Sequence, residues 1–260
     1  MGTGAFGMKT VGILGGMGPL ATVLLMQKIM AATPARDDAD HLPLLVDQNT
    51  QVPSRLAHLL ENAGADPGPV LAAMAARLQG AGAQAMAMPC NTAHHYAPAI
   101  RAALSVPFLD MVILSVAHAR GLAGPGGKIG ILASPAVRRV GLFDKAFAGT
   151  GLIPLYATDE DATLAAIRSL KAVGANDGAR ASLNAAAVDL LARGAAVQMI
   201  ACTEFSLISG AMPAQVMAFD TLDILVQAII AFAIPTGTGQ EKATQNSPKS
   251  GADALLSSST

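Results

Sequence analysis

The chain has 260 residues, enough for one large domain or two of about 100–130 residues each. Hydrophobic residues make up 52% and charged residues 13%, which excludes disorder over most of the length and points to surface hidden in a subunit interface. A net charge of −1 provides no basic patch for nucleic acid, and 3% aromatics with no tryptophan provide no stacking platform for bases or sugars.

Residues 1–7 show no charge followed by an apolar run, so they read as an extension ahead of a start at Met8 rather than a signal peptide. From there β-rich runs at 10–14, 42–46, 85–88, 128–132, 197–200 and 216–219 alternate with Ala/Leu-rich runs of helical period at 19–32, 69–80, 97–104, 112–120, 162–173, 179–193 and 222–233. Such alternation predicts an α/β fold of parallel strands with crossover helices, its site at the carboxyl ends of the strands. The longest apolar stretch, 224–234, is too short to span a bilayer and contains Gln227. Two cysteines, Cys90 and Cys202, are too few for a disulfide framework, so a cytoplasmic protein with reduced thiols and no membrane partner is expected. The tail, 235–260, is rich in Thr, Gly, Gln, Ser and Lys and is expected to be disordered.

The chain echoes itself. Gly82 through Thr92 resembles Gly194 through Glu204 at an offset of 112, and Val11-Gly12-Ile13-Leu14 resembles Ile129-Gly130-Ile131-Leu132 at 118. Two nearly equal offsets predict two similar Rossmann-like lobes related by pseudo-twofold symmetry, 8–110 and 111–220, with the helix 221–234 packing back on the first. Each lobe then ends a buried strand on a cysteine, and the two face one interdomain cleft. A thiol just before a helix N-terminus is expected to have its thiolate stabilised by the amides and the helix dipole. One anionic and one protonated sulfur on opposite faces of a carbon can remove a proton from one side and return one from the other, inverting the centre.

Gly15-Gly16-Met17-Gly18-Pro19-Leu20-Ala21-Thr22, Gln51-Val52-Pro53-Ser54-Arg55, Met88-Pro89-Cys90-Asn91-Thr92-Ala93-His94 and Ala201-Cys202-Thr203-Glu204 resemble, in that order, the motifs of the aspartate/glutamate racemase family, which needs no pyridoxal phosphate. The resemblance implies a small acidic amino acid as substrate, a homodimer, and Cys90 and Cys202 as the acid/base pair, with no cofactor and no metal. By motif, Met17, Gln51, Asn91, Thr92 and Thr203 are expected around the substrate. Arg55 is expected on its distal carboxylate and Lys171 on a carboxylate as well. Lys171 stands one residue further from its glycine, Gly174, than the family's Lys-x-Gly, and Ala201 replaces the usual glycine before the second cysteine. Asp159-Glu160-Asp161 brings negative charge close to the lysine-bearing segment, which sits oddly with an acidic substrate. Within the same superfamily, hydantoin racemisation or maleate cis–trans isomerisation are the alternatives; outside it, a two-lobed protein that binds an acidic ligand without turnover.

Two further signals compete. Gly16-Met17-Gly18-Pro19-Leu20-Ala21 fits the dinucleotide fingerprint, but Pro19 removes an amide that would face a pyrophosphate, so a tight turn approaching a small substrate is the better reading. Cys90, His94 and His95 lack the further ligands a zinc site needs. Asp47 and Glu204 are candidates for residues that support the site from behind.

Overall fold

The computed structural model describes residues 7–234. The expected disordered tail and the expected extension, Gly7 apart, lie outside the described residues. Two four-stranded sheets, every pairing parallel, make up the architecture. The first contains β1 (Val11–Gly15), β2 (Leu44–Gln48), β3 (Ala85–Ala87) and β4 (Phe108–Leu109) in the order β2-β1-β3-β4. The second repeats that order with β5 (Lys128–Leu132), β6 (Ile153–Tyr156), β7 (Val197–Ile200) and β8 (Met217–Asp220): β6-β5-β7-β8.

Two strands escaped the sequence. β4 is two residues long, beneath any periodicity, and β6 is an edge strand interrupted by Pro154, which edge positions tolerate. β2 starts two residues later than expected because Pro43 ends the preceding loop; its carbonyl still accepts from the Val11 amide.

The repeat is also atomic. Gly12 pairs with Met86 and Gly130 with Gln198. A Cβ on Gly12 would lie 2.6 Å from the Met86 sulfur and 3.0 Å from Ala83, and one on Gly130 would lie 2.8 Å from Gln198 and 3.2 Å from Ala195. Met86 and Gln198, like Ala83 and Ala195, stand at the 112-residue offset. Each half therefore fills the space over its matched glycine with side chains from matched positions, though of different type, Met86 in one and Gln198 in the other.

Each sheet is covered on both faces. In the first half, α3 (Gly68–Gly80) and α4 (Ala97–Ala102) pack one face through Leu71, Met74, Leu78 and Ile100. The other face receives α1 (Pro19–Ala32) through Leu25 and Ile29 and α11 (Thr221–Ala233) through Leu222, Leu225, Val226 and Ile229. In the second half, α8 (Glu160–Val173) and α9 (Asp177–Ala192) cover one face, with Ile167, Leu170, Leu183 and Leu190 buried. The opposite face takes α5 (Met111–Ala123), α6 (Pro135–Arg139) and α7 (Leu142–Phe147). Burying such side chains contributes about 1.5–3 kcal/mol each. α5 belongs to both halves: Met111 packs in the first and Val112, Val116 and Ala119 in the second.

Candidate active site

The carboxyl ends of β1 and β3 face those of β5 and β7 across a seam, and the short loops leaving them carry the polar residues. Cys90 and Cys202 follow β3 and β7, each packed in the apolar core of its own half and 7% and 6% exposed. Both line one small cavity together with Met17, Ser54, Arg55, Leu56, Thr92, Ser134, Ile167, Lys171 and Glu204. Its volume is about 30 Å³, close to the share of one liquid water molecule. A larger pocket of about 330 Å³ adjoins it, sharing Ser54, Arg55, Lys171 and Glu204 and walled otherwise by Val52, Leu20, Leu170 and Leu207 among others.

Arg55 opens α2 (Arg55–Leu60), whose N-cap Ser54 accepts from the Ala57 amide. Its guanidinium donates to the carbonyls of Val52 (3.3 Å), Pro53 (3.0 Å) and Met17 (3.3 Å). Nε is buried with no partner, and among the described residues no carboxylate lies within ion-pair distance. The positive charge is fixed in place by backbone and left uncompensated. Lys171, near the end of α8, stands 3.3 Å from Glu204 Oε1. Glu204 Oε2 in turn accepts a hydrogen bond from the Cys202 thiol at 3.1 Å.

That arrangement corrects one expectation. Cys202 is at the N-cap of α10 (Thr203–Ser206), a single four-residue turn with little dipole. Burial first, then the Glu204 charge and its hydrogen bond, push the thiol well above its ordinary range, outweighing Lys171. Cys202 rests as a protonated thiol. After Cys90 the chain makes a 3₁₀ turn, Thr92–Tyr96, before α4, with no side-chain cap from Asn91. His94 locks this turn: Nδ1–H donates to the Cys90 carbonyl at 2.8 Å, and Nε2 accepts from the Met111 amide at 3.2 Å. Both contacts suit the neutral ring, and burial holds its pKa down.

Of the residues singled out by sequence, Met17, Arg55, Cys90, Thr92, Lys171 and Cys202 meet at the cavity. Asn91, Thr203 and Gln51 are not on its wall. The Thr203 hydroxyl donates to the Pro89 carbonyl at 3.0 Å, across the seam. Asn91 Nδ2 donates to Thr221 Oγ1 at 3.0 Å, and that hydroxyl donates to the Ile200 carbonyl at 2.9 Å. Asn91 and Thr203 stand at the 112-residue offset, so the repeat uses both as clasps between the halves. Gln51 is exposed, its backbone N–H donating to Asn49 Oδ1. Ser134, which no motif flagged, lines the cavity and sits 118 residues after Gly16; extending the second echo by two residues would have found it.

Gly16 and Gly18 of the turn after β1 line the larger pocket, and the turn also meets a neighbour within the protein. A Cβ on Gly16, at φ +89°, would lie 2.4 Å from the Asn49 backbone, so the turn also approaches the neighbouring loop closely. Thr22 Oγ1 closes the turn, accepting from the Gly16 amide at 2.9 Å. Asp47 pairs with Arg77 at 2.6 Å, away from the cavity. Asp159 caps α8 and Glu160 pairs with Arg138 at 2.6 Å. Glu160 is eleven residues before Lys171 on that helix, or roughly 16 Å at 1.5 Å per residue, so this acidic run does not bear on the cavity.

A family model described as Asp/Glu/hydantoin racemase matches residues 14–229. The chain belongs to that family. An aspartate racemase from Picrophilus torridus superposes with a TM-score of 0.74 at 23% identity, covering 86% of this chain and 93% of that one. An aspartate racemase homologue from Pyrococcus horikoshii OT3 gives 0.67 at 20%, covering 86% and 98%. A glutamate racemase isoform from Bacillus anthracis gives 0.63 at 15%, covering 86% and 80%. These likenesses show the two-domain α/β fold, and family membership marks an amino-acid racemase. Among the described residues no helix is long and apolar enough to cross a membrane.

Proposed function

We propose that the protein racemises an acidic amino acid, aspartate or glutamate, without a cofactor, by two-base proton transfer between Cys90 and Cys202. The observation that carries this reading is the pair of thiols, one from each half, on the wall of one cavity beside a fixed and uncompensated Arg55. In the resting arrangement Cys202 holds its proton and is fitted to deliver one, and the two-base scheme gives Cys90 the opposite role. As the thiolate, Cys90 takes the Cα proton from one face and becomes a thiol while the C–H electrons move into the carboxylate, and the Cys202 thiol gives its proton to the other face and becomes the thiolate. In the reverse direction the roles exchange, and Glu204, 3.1 Å away, is placed to receive the Cys202 proton. Arg55 presents a planar fork to the distal carboxylate and Lys171 a point charge to the other.

In this reading the lobes run 8–110 with 221–234, and 111–220, in a cytoplasmic protein, and exposed Val23 and Met30 on α1 support a homodimer. The test is exchange of the Cα hydrogen of L-aspartate and L-glutamate in heavy water, with product chirality followed by polarimetry. Cys90→Ser and Cys202→Ser should each lower racemisation by about 10²-fold or more with unchanged circular dichroism. Wild-type rates in both variants would end the two-thiol mechanism.

A further inference from the structure

The repeat fails at one place on the cavity wall. Thr92 and Glu204 occupy matched positions, and both line the cavity, yet one is neutral and the other is the only carboxylate there among the described residues. Glu204 is 7% exposed. Its Oε2 is taken by the Cys202 thiol, whereas Oε1 is buried without a hydrogen bond, since Lys171 at 3.3 Å stands outside hydrogen-bond geometry. A carboxylate beside a thiol that must ionise is costly, because it opposes the thiolate. Something must compensate for it in the loaded site.

Resting on the racemase reading, we infer that Glu204 Oε1 is the receptor for the substrate's α-ammonium, and that Glu204 selects amino acids over dicarboxylates that lack the amino group. The charges match one for one. The cavity offers two cations, Arg55 and Lys171, and one anion; an acidic amino acid brings two carboxylates and one ammonium. When the substrate enters, the 35%-exposed Lys171 side chain turns from Glu204 to a substrate carboxylate, and the ammonium takes its place. An ammonium about 2.9 Å from Oε1 keeps Cα within reach of the Cys202 sulfur on the same carboxylate. Succinate would supply the two carboxylates but leave Glu204 facing a dianion, a buried charge with nothing to pair. Asn91 Oδ1 is also buried and unpartnered, but it does not lie on the cavity wall.

The test is calorimetric. Racemic aspartate, in which turnover causes no net change, is titrated against succinate in wild type and in Glu204→Gln, and glutamate against glutarate likewise. Wild type should bind the amino acid at least about tenfold more tightly than its deaminated partner. Glu204→Gln should weaken the amino acid by about tenfold or more and leave the diacid unchanged or tighter. The inference is overturned if wild type holds succinate as tightly as aspartate, or if the variant loses both equally. Should Glu204→Gln not fold, the wild-type ratios decide. Wild type that binds neither compound and exchanges no Cα hydrogen overturns the racemase reading together with this one, whereas racemisation with an undiminished preference in Glu204→Gln overturns this one alone.

Discussion

Thr203→Val isolates the clasp between the two halves. Valine keeps the shape and removes the hydroxyl, so the Pro89 carbonyl, buried and bonded only through that 3.0 Å contact across the seam, loses its donor. An unsatisfied buried acceptor costs about 1–3 kcal/mol. For a protein of this size each kcal/mol lowers Tm by roughly 2–4 °C, so Tm should fall by roughly 2–12 °C in the absence of any ligand. Pro89 and Thr203 are the immediate neighbours of Cys90 and Cys202, so the same loss loosens the spacing between the sulfurs. A misplacement of about 1 Å at reacting groups costs about 10²-fold; kcat should drop by at least about tenfold, with KM changed less. Thr203→Ser, which keeps the donor, should stay near wild type in both measurements. Differential scanning calorimetry and a polarimetric rate assay on the three proteins settle the matter. If valine and serine variants melt and turn over alike, the hydroxyl bond holds nothing together.

Two other outcomes follow from buried contacts. Burial lifts the Asp220 carboxyl from 3.8 to about 6, opposed by its bonds from the Leu222 amide and the Ser206 hydroxyl. The folded state therefore favours the protonated acid, and this stabilisation is full below about pH 4 and lost as pH rises through 6. Asp220→Asn imitates the neutral form, so urea unfolding should show its stability relative to wild type rising by about 2 kcal/mol from pH 4 to pH 7; a pH-independent difference would contradict the shift. Gly16→Ala forces a Cβ against the Asn49 backbone at a positive φ, costing about 2–4 kcal/mol from strain and overlap. A melting temperature within about 2 °C of wild type would show that the loop yields.

The sequence disclosed most where the repeat was strong. The two echoes placed the cysteines at matching strand ends, and the fold carries that symmetry down to the side chains over Gly12 and Gly130. It disclosed less where a residue's task depends on what crosses the seam. Asn91 and Thr203 sit inside the most specific motifs, yet Thr203 bonds Pro89 across the seam, 114 residues away, and Asn91 holds Thr221, 130 residues away, whose hydroxyl crosses to Ile200. No local pattern encodes that. Nor could spacing show that Glu204 reaches both Cys202 and Lys171, or that burial would outweigh a helix of four residues in setting the thiol. β4 and β6 were hidden for a simpler reason: two residues make no pattern, and a proline within four breaks one.

The tightness of the inner cavity has a kinetic consequence. On the racemase reading an amino acid enters by way of the adjoining pocket of about 330 Å³, and setting its Cα between two sulfurs that share a space of only about 30 Å³ requires the halves to part along the seam bridged by α5, α11 and the two clasps. The ceiling on speed is then a breathing frequency of the whole molecule. Added viscogen should slow it, and a thiol-blocking reagent should meet the sulfurs only in the moments when the door stands ajar.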